Sequence, residues 1–122
     1  MAITVDWADF EETVIIWQLR GDWDGDDFYK ARTECIQLAM NTARNINLII
    51  DLNFSSRAPN NMLLLVRGLF VQCPPNLEKI VILSQTSFWH RIFEMARTSA
   101  KFAHPMFLVD SIEDAYKHAG VE

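Results

Sequence analysis

The amino-acid sequence predicts an α/β fold, with one mixed, mostly parallel sheet of five strands and four helices in the order β-β-α-β-α-β-α-β-α. Short apolar runs alternate with stretches of helical periodicity from the second run onward, which is typical of strands joined by helical crossovers. The 122 residues are 50% hydrophobic and 11% aromatic, enough for one real core. No linker, repeat or low-complexity segment divides the chain, so we expect a single domain over residues 1–122.

The first two strands are predicted over ITVDWAD and TVIIWQLRG, with a link between them that is short enough for a hairpin. In the second strand, apolar side chains alternate onto both faces, as expected for a strand that is covered on both sides. A helix with regularly spaced apolar residues follows. Asp24, Asp26 and Asp27 lie at its start, where carboxylates meet the positive end of the helix dipole.

The run INLIIDL, residues 46–52, suits a buried central strand. We interpret the following SSRAPNN as a connection that leads to a second helix. That helix begins at Pro59 and Asn60 and runs to about Gln72, because the two prolines of CPPN cannot continue it. Asn60 is the expected N-cap, since an asparagine side chain readily accepts a backbone N–H at a helix start.

The remaining elements are a strand in LEKIVILSQ, a helix in SFWHRIFEMARTSAKFAH, a short strand in PMFLVD and a helix in SIEDAYKHAG. The last helix has a serine cap, Ser111, and a glycine stop, Gly120. A helical projection of the third helix predicts one broad apolar half, made of Phe88, Trp89, Ile92, Phe93, Met95, Ala96, Ala100 and Phe102.

Charge and composition exclude several classes of protein. The net charge of −5 and the pI of about 5.1 argue against nucleic-acid binding, which needs clustered lysines and arginines. No apolar run approaches the length of a membrane span, and the N-terminus lacks the features of a signal peptide. We expect a cytoplasmic protein without an integral membrane segment. Cys35 and Cys73 are interpreted as buried free thiols in apolar helical settings.

No pattern of chemistry-bearing residues predicts an enzyme. His90, His104 and His118 are scattered, without a carboxylate or cysteine at metal-ligand spacing. There is no glycine-rich phosphate loop. The acidic DWDGDD segment fails the calcium-loop pattern, because Asp27 stands where glycine is needed and Thr33 where glutamate is needed. We therefore expect no catalytic residues, no metal and no cofactor.

Four segments resemble STAS domains, the domains of sulphate transporters and anti-sigma-factor antagonists. GDWD is similar to the family's turn into its first helix, and LIIDL to the central strand that ends in Asp-Leu. KIVILSQ resembles the next strand, and LVDSIEDAYKHA the usual ending of the domain. The resemblance extends over nearly the whole chain and places it within the wider SpoIIAA-like and CRAL-TRIO-like superfamily.

The resemblance implies a bacterial regulator that acts by protein contact. In the antagonists, a serine in an Asp-Ser-Ser-Gly motif at the start of the second helix is phosphorylated, and binding to an anti-sigma factor with kinase activity is then lost. Here the corresponding residues are Pro59, Asn60, Asn61 and Met62. Asparagine cannot accept a phosphate, so we expect this chain to lack the phosphoswitch.

The predicted partner surface lies on the second helix and the loop before it. The side chains predicted to cover the sheet form one apolar arc, made of Met62, Leu63, Leu65, Val66, Leu69 and Phe70. Leu64 and Val71 project opposite this arc, with Arg67 beside them. Ser56 and Arg57 belong to the preceding loop. For Ser56, the alternatives are a displaced phosphorylation site and a residue that serves only the turn. For Arg57, the alternatives are an anion-binding residue at the helix start and an ordinary loop residue. In an alternative interpretation, Leu64 and Val71 are covered by a neighbouring loop.

We therefore predict a non-enzymatic interaction domain. It would bind a protein partner, such as an anti-sigma factor or a kinase-like regulator, or form a homodimer. The alternative is a domain that binds a small apolar ligand or lipid. That alternative rests on five methionines and on five large aromatic residues: Phe88, Trp89, Phe93, Phe102 and Phe107. A hidden enzyme, assembled only in space, is a third possibility that no residue pattern supports.

Overall fold

A computed structural model describes residues 2–57, 59–71, 73–102 and 104–120, with the backbone alone for Arg57. The predicted element order is confirmed. The elements are β1 (Ile3–Trp7), β2 (Val14–Asp22), α1 (Gly25–Met40), β3 (Ile46–Arg57), α2 (Met62–Val71), β4 (Leu77–Leu83), α3 (Ser87–Ser99), β5 (Met106–Val109) and α4 (Ile112–Ala119).

The five strands form one sheet in the order β1-β2-β3-β4-β5. The strand β1 pairs antiparallel with β2, and the other neighbours pair in parallel. The three crossover connections between parallel strands run in the same direction across the sheet and have the same handedness. Their helices are therefore expected on one face of the sheet. The packing agrees: α1, α2 and α3 bury their apolar side chains in one core, while α4 packs against the opposite face.

Strand periodicity divides the core into two unequal layers. On β3, Leu48 and Ile50 point toward the three crossover helices, whereas Ile49 points toward α4. The predicted alternation in β2 is confirmed in the same way. On the α4 side, the helix contributes the small buried side chains of Ala115 and Ala119. A single helix cannot cover five strands, so part of this second face stays open.

The central strand β3 is longer than predicted and continues to Arg57. The interpretation of SSR as part of a loop is therefore wrong. Backbone pairing with β2 extends the strand, since Gly21 aligns with Ser55 and Asp22 with Arg57 after a register shift. The Trp23 indole N–H also donates to Ser55 Oγ at 2.9 Å, which ties the end of the strand to the start of α1.

The start of α1 uses its aspartates for capping, as predicted. Asp24 Oδ1 accepts the backbone N–H of Asp27 at 2.9 Å, and Asp27 Oδ2 accepts that of Asp24 at 3.1 Å. This reciprocal pair is a capping box, and it satisfies donors that the first turn of a helix otherwise leaves free. The end of the chain is also as predicted: Ser111 Oγ accepts the Asp114 N–H, and Gly120 ends α4 in the left-handed conformation.

The third helix is shorter than predicted, and the prediction of its apolar half was too broad. It ends at Ser99, and Phe102 is buried beyond it. Trp89, Phe93 and Ala96 are its buried residues, whereas the side chain of Phe88 is 46% exposed and that of Met95 is exposed as well. A helix on the outside of a sheet buries only a narrow stripe, so residues at the margin of a projected half turn toward solvent.

The β1–β2 hairpin is stabilised by the carboxylate of Asp9. It accepts the backbone N–H groups of Thr13 at 2.9 Å and Val14 at 3.0 Å, and the Thr13 hydroxyl also donates to it. Burial alone would raise the pKa of Asp9, but these hydrogen bonds outweigh it and hold the pKa below its usual 3.8. The stabilisation that these hydrogen bonds give the hairpin is therefore fully present above pH 3.8 and is lost as the pH falls through the lowered pKa of Asp9.

Replacing Asp9 with asparagine is expected to lower the free energy of unfolding by about 1 kcal/mol at about pH 6. The difference from wild type should shrink as the pH falls below 3.8 and the wild-type carboxylate takes up its proton, so the second measurement is made below that value. Urea denaturation at both pH values measures this difference. Asp6→Asn, on an exposed residue of β1, is the matched control and should show little effect. A loss for Asp9→Asn that is the same at both pH values would contradict the assignment.

Candidate protein-interaction surface

Asn60 and Asn61, which the resemblance predicts at the place of a phosphorylated serine, lie in a turn directly before α2, and both are exposed. The Leu65 N–H donates to the Asn61 carbonyl at 3.1 Å, so the N-cap position falls on Asn61. The prediction that Asn60 is the cap is wrong by one residue. Within the described part of the chain, neither asparagine side chain makes a hydrogen bond, so both amides are open to a partner.

The helix α2 lies between α1 and α3 and is held from both sides. Its inner residues Leu65, Val66, Leu69 and Phe70 are buried. Toward α1, Leu65 approaches Gly25, where an added Cβ would lie 3.8 Å from the leucine. Toward α3, the Phe70 ring packs edge-on against Phe93, with 6.2 Å between centroids. These contacts fix which side of α2 faces outward.

The outward side of α2 carries exposed aliphatic residues. The side chain of Leu64 is 66% exposed and that of Val71 is 54% exposed. Their predicted exposure is confirmed, and the alternative in which a loop covers them is wrong. Leu63 was predicted to help cover the sheet, but it is exposed too. We call Leu63, Leu64, Arg67 and Val71 the α2 face.

Among the described residues, the side chains of the α2 face make one hydrogen bond, which connects the face to the next helix. Arg67 Nε donates to Ser99 Oγ at 2.9 Å across the α2–α3 junction. Met95 lies one helical turn before Ser99 and is also exposed. The aliphatic surface of α2 therefore continues onto α3, next to the Arg67 guanidinium. One N–H of this group is used in the bond to Ser99, and the group carries further N–H donors. Methionine and arginine are enriched in protein interfaces, so Met95 and Arg67 suit a surface that binds a partner.

The other predicted interface residues lie near the start of α2. Ser56 is exposed near the end of β3, and the Arg57 side chain lies outside the described residues. Ser55 is half-buried and holds the Trp23 indole. The structure therefore places Ser56 near the turn that carries Asn60 and Asn61, while Val71 lies at the far end of α2. The predicted residues occupy both ends of one surface and do not converge on one point.

Potential catalytic and metal-binding groups are dispersed in the described part of the chain. No group of three metal-ligating side chains occurs among the described residues. His90 Nε2 lies 3.1 Å from the Val109 carbonyl, and His118 stacks on Phe107 with 4.4 Å between ring centroids. Burial raises the pKa of Cys35 to about 11, so this thiol stays protonated and unreactive at neutral pH.

The second cysteine differs from its prediction. Cys73 lies beyond α2, is only half-buried and is not part of a helix. Both cysteines are free, as expected.

Among the described helices, none is long and apolar enough to cross a membrane.

The large aromatic residues that motivated a lipid-binding alternative are mostly packed against each other. Trp89 and Phe93 are buried with 6.5 Å between their ring centroids, and Phe102 packs on Phe70 at 4.9 Å. Phe107 is half-buried against His118, and Phe88 is exposed. Filling the core is the normal fate of such residues.

One cavity was not predicted from the sequence. It has a volume of about 420 Å³ and lies at the carboxyl ends of the parallel strands, beside the start of α4. Asp51 is the buried charged residue in its wall, with 5% of its surface exposed. An aspartate at the end of the otherwise apolar run INLIIDL was the signal available in the sequence, since carboxylates are rarely buried without a partner.

Solved structures with the same fold place the chain in a known structural class. A protein with a SpoIIAA-like fold from Shewanella loihica PV-4 matches with a TM-score of 0.70 and 11% identity, over 97% of this chain and 92% of that one. The unphosphorylated anti-sigma factor antagonist SpoIIAA matches with a TM-score of 0.64 and 14% identity, over 99% of each chain.

The phosphorylated form of SpoIIAA, described as a Bacillus cell fate determinant, matches with a TM-score of 0.62 and 13% identity, over 96% of this chain and 98% of that one. These matches show that the chain has the STAS or SpoIIAA-like fold, as predicted. No family model matches the sequence, and no curated protein matches it.

Proposed function

We propose that this chain is a non-enzymatic regulatory domain, cytoplasmic and bacterial, that binds a protein partner or a second copy of itself through the α2 face. The observation that carries the proposal is the exposure of Leu64 and Val71 on the outward side of α2. A monomeric protein gains nothing in stability from aliphatic side chains in water, whereas a partner that covers them removes apolar surface from solvent. The fold shared with the anti-sigma factor antagonist SpoIIAA supports a regulatory role.

The start of α2 distinguishes this chain from a phosphorylated antagonist. Asn60 and Asn61 supply polar, hydrogen-bonding side chains at the turn but no hydroxyl group. We propose that binding is constitutive or is controlled at another site. The partner would be an anti-sigma factor or a kinase-like regulator, recognised by aliphatic contacts around Arg67 and by the asparagine amides.

Replacing Leu64 or Val71 with glutamate is expected to weaken association at least about tenfold, because each change puts a charge into the apolar centre of the contact. Light scattering behind size exclusion, over a wide concentration range, measures self-association. Affinity capture from the source cells, followed by measured binding of the recovered protein, covers a foreign partner. Met40→Glu is the matched control, since Met40 is equally exposed on a different helix, α1.

The variants should unfold at urea concentrations close to the wild-type value, because both side chains are already in water. A complex, with itself or with a recovered partner, that is lost in Leu64→Glu and retained in Met40→Glu supports the proposal. Association that is equally strong in wild type, Leu64→Glu and Val71→Glu would contradict it.

A further inference from the structure

The cavity at the carboxyl ends of the strands is built from four elements, β2, β3, β4 and α4. Asp51 on β3 aligns with Gln18 on β2 and Leu83 on β4, and all three residues line the cavity. Glu113 and Tyr116 line it from the opposite side, on α4. In open α/β sheets, ligands bind beyond the carboxyl ends of the strands, where loops and helix starts surround a recess. The volume of about 420 Å³ suits a compact ligand.

The carboxylate of Asp51 is buried and only half satisfied. Its Oδ1 accepts the backbone N–H of Asn53 at 3.0 Å, and its Oδ2 accepts no hydrogen bond from a described residue. Oδ2 is not sealed from solvent either. Since the residue as a whole is 5% exposed and lines the cavity, this oxygen faces the cavity. A carboxylate with most of its surface withdrawn from water is stabilised by a compensating partner.

No described residue supplies that partner. Asp110 and Glu113 add two further carboxylates to the wall, and no lysine, arginine or histidine among the described residues lines the cavity. Arg20 lies over the Phe54 ring, 6.0 Å from its centroid, and is not part of the wall. The partial positive charge at the start of α4 is about half a unit and leaves the wall negative.

We propose that this cavity binds a small organic cation that carries an ammonium or guanidinium group. The cationic group would donate to Asp51 Oδ2, and the aromatic ring of Tyr116, also in the wall, offers a face that attracts a cation. The Asn53 side chain is already fixed, because its Oδ1 accepts the Gln85 N–H at 2.9 Å. A divalent metal ion fits less well, since the described residues offer no set of three ligating side chains.

Agmatine, which has an ammonium and a guanidinium group at the two ends of a short chain, is the probe that tests this proposal. A nuclear magnetic resonance titration at low salt should show saturable shifts of the Asn53 and Glu113 amides. The neutral 1,4-butanediol and the anionic succinate should leave these amides unchanged. Asp51→Asn should weaken agmatine binding by roughly tenfold or more, because a charge-assisted hydrogen bond is lost. Asp26→Asn, an exposed carboxylate at the start of α1, is the matched control and should bind like wild type.

Thermal unfolding shows whether Asp51→Asn still folds. Glu113→Gln is a second variant, at an exposed residue on the rim of the cavity, and Glu78→Gln is its matched control. A capped Gly-Arg-Gly peptide distinguishes two possible sources of the cationic group, a protein side chain and a free small molecule. Tighter binding of the peptide than of agmatine assigns the cation to a protein side chain, and weaker binding assigns it to a free small molecule; both results support the site. Butanediol binding as tight as that of agmatine, or agmatine affinity unchanged in folded Asp51→Asn and in Glu113→Gln, would overturn the proposal.

Discussion

Replacing Trp17 with alanine is expected to lower the free energy of unfolding by about 3–5 kcal/mol, because it empties the largest fully buried site of the core. Trp17 lies in the middle of β2, where it aligns with Val5 on β1 and Ile50 on β3. Its ring contacts Phe28 edge-on, with 5.4 Å between centroids. The neighbours are held by the sheet and by α1, so they can close only part of the cavity. Domains of this size have a total stability of about 5–15 kcal/mol, so the variant would be close to unfolding.

Urea denaturation followed by circular dichroism measures the loss. The Trp17 indole N–H is buried and has no hydrogen-bond partner of normal geometry among the described residues. Trp17→Phe removes volume and a donor whose neighbouring acceptor is the Cys35 sulfur, a weak one, so we expect a smaller loss than for alanine. Trp7→Ala, at a half-buried residue of β1, is the control and should cost less than half as much. Equal losses for Trp7→Ala and Trp17→Ala would contradict the packing described here.

Replacing Phe93 with alanine is also expected to cost about 3–5 kcal/mol, whereas Phe88→Ala on the same helix should cost less than about 1 kcal/mol. Phe93 is buried between Phe70 of α2 and Trp89 of its own helix. Phe88 makes an edge contact with Trp89 but is nearly half exposed. The two variants make the same chemical change on one helix and differ in burial alone.

Urea midpoints for this pair test the orientation of α3 directly. The helical projection put both phenylalanines on one apolar half, so sequence alone expects similar losses. Losses that agree within about 0.5 kcal/mol would show that α3 is rotated relative to the orientation described here. A large loss for Phe93→Ala alone would confirm that the α2–α3 junction, next to the α2 face, is held by Phe93.

The fold could be predicted almost completely from the sequence, because it depends on local periodicity. Alternation of apolar residues in TVIIWQLRG, the apolar run INLIIDL and the helical spacing after GDWD each report their element without reference to the rest of the chain. The caps were also visible, since Asp24, Asp27 and Ser111 bond to backbone groups a few residues away. Local interactions of this kind are encoded by neighbouring residues, so a linear sequence contains them.

Part of the candidate surface was visible as well. The opposite orientation of Leu64 and Val71 follows from the 3.6-residue period of a single helix, and their exposure agrees with it. The projection failed at Leu63, Phe88 and Met95, which lie at the margins of apolar arcs. Whether a marginal residue is covered depends on the distance and tilt of the neighbouring helices, and a projection of one helix contains neither.

The sequence by itself determined the class of fold and the position of the asparagine pair before α2. Only the tertiary structure decided that β3 continues to Arg57, because that extension depends on pairing with β2. It alone also decided that Asp51 lies between Gln18 and Leu83 in the wall of a cavity. Strand neighbours distant in sequence create both features, and their pairing is fixed only when the whole sheet assembles.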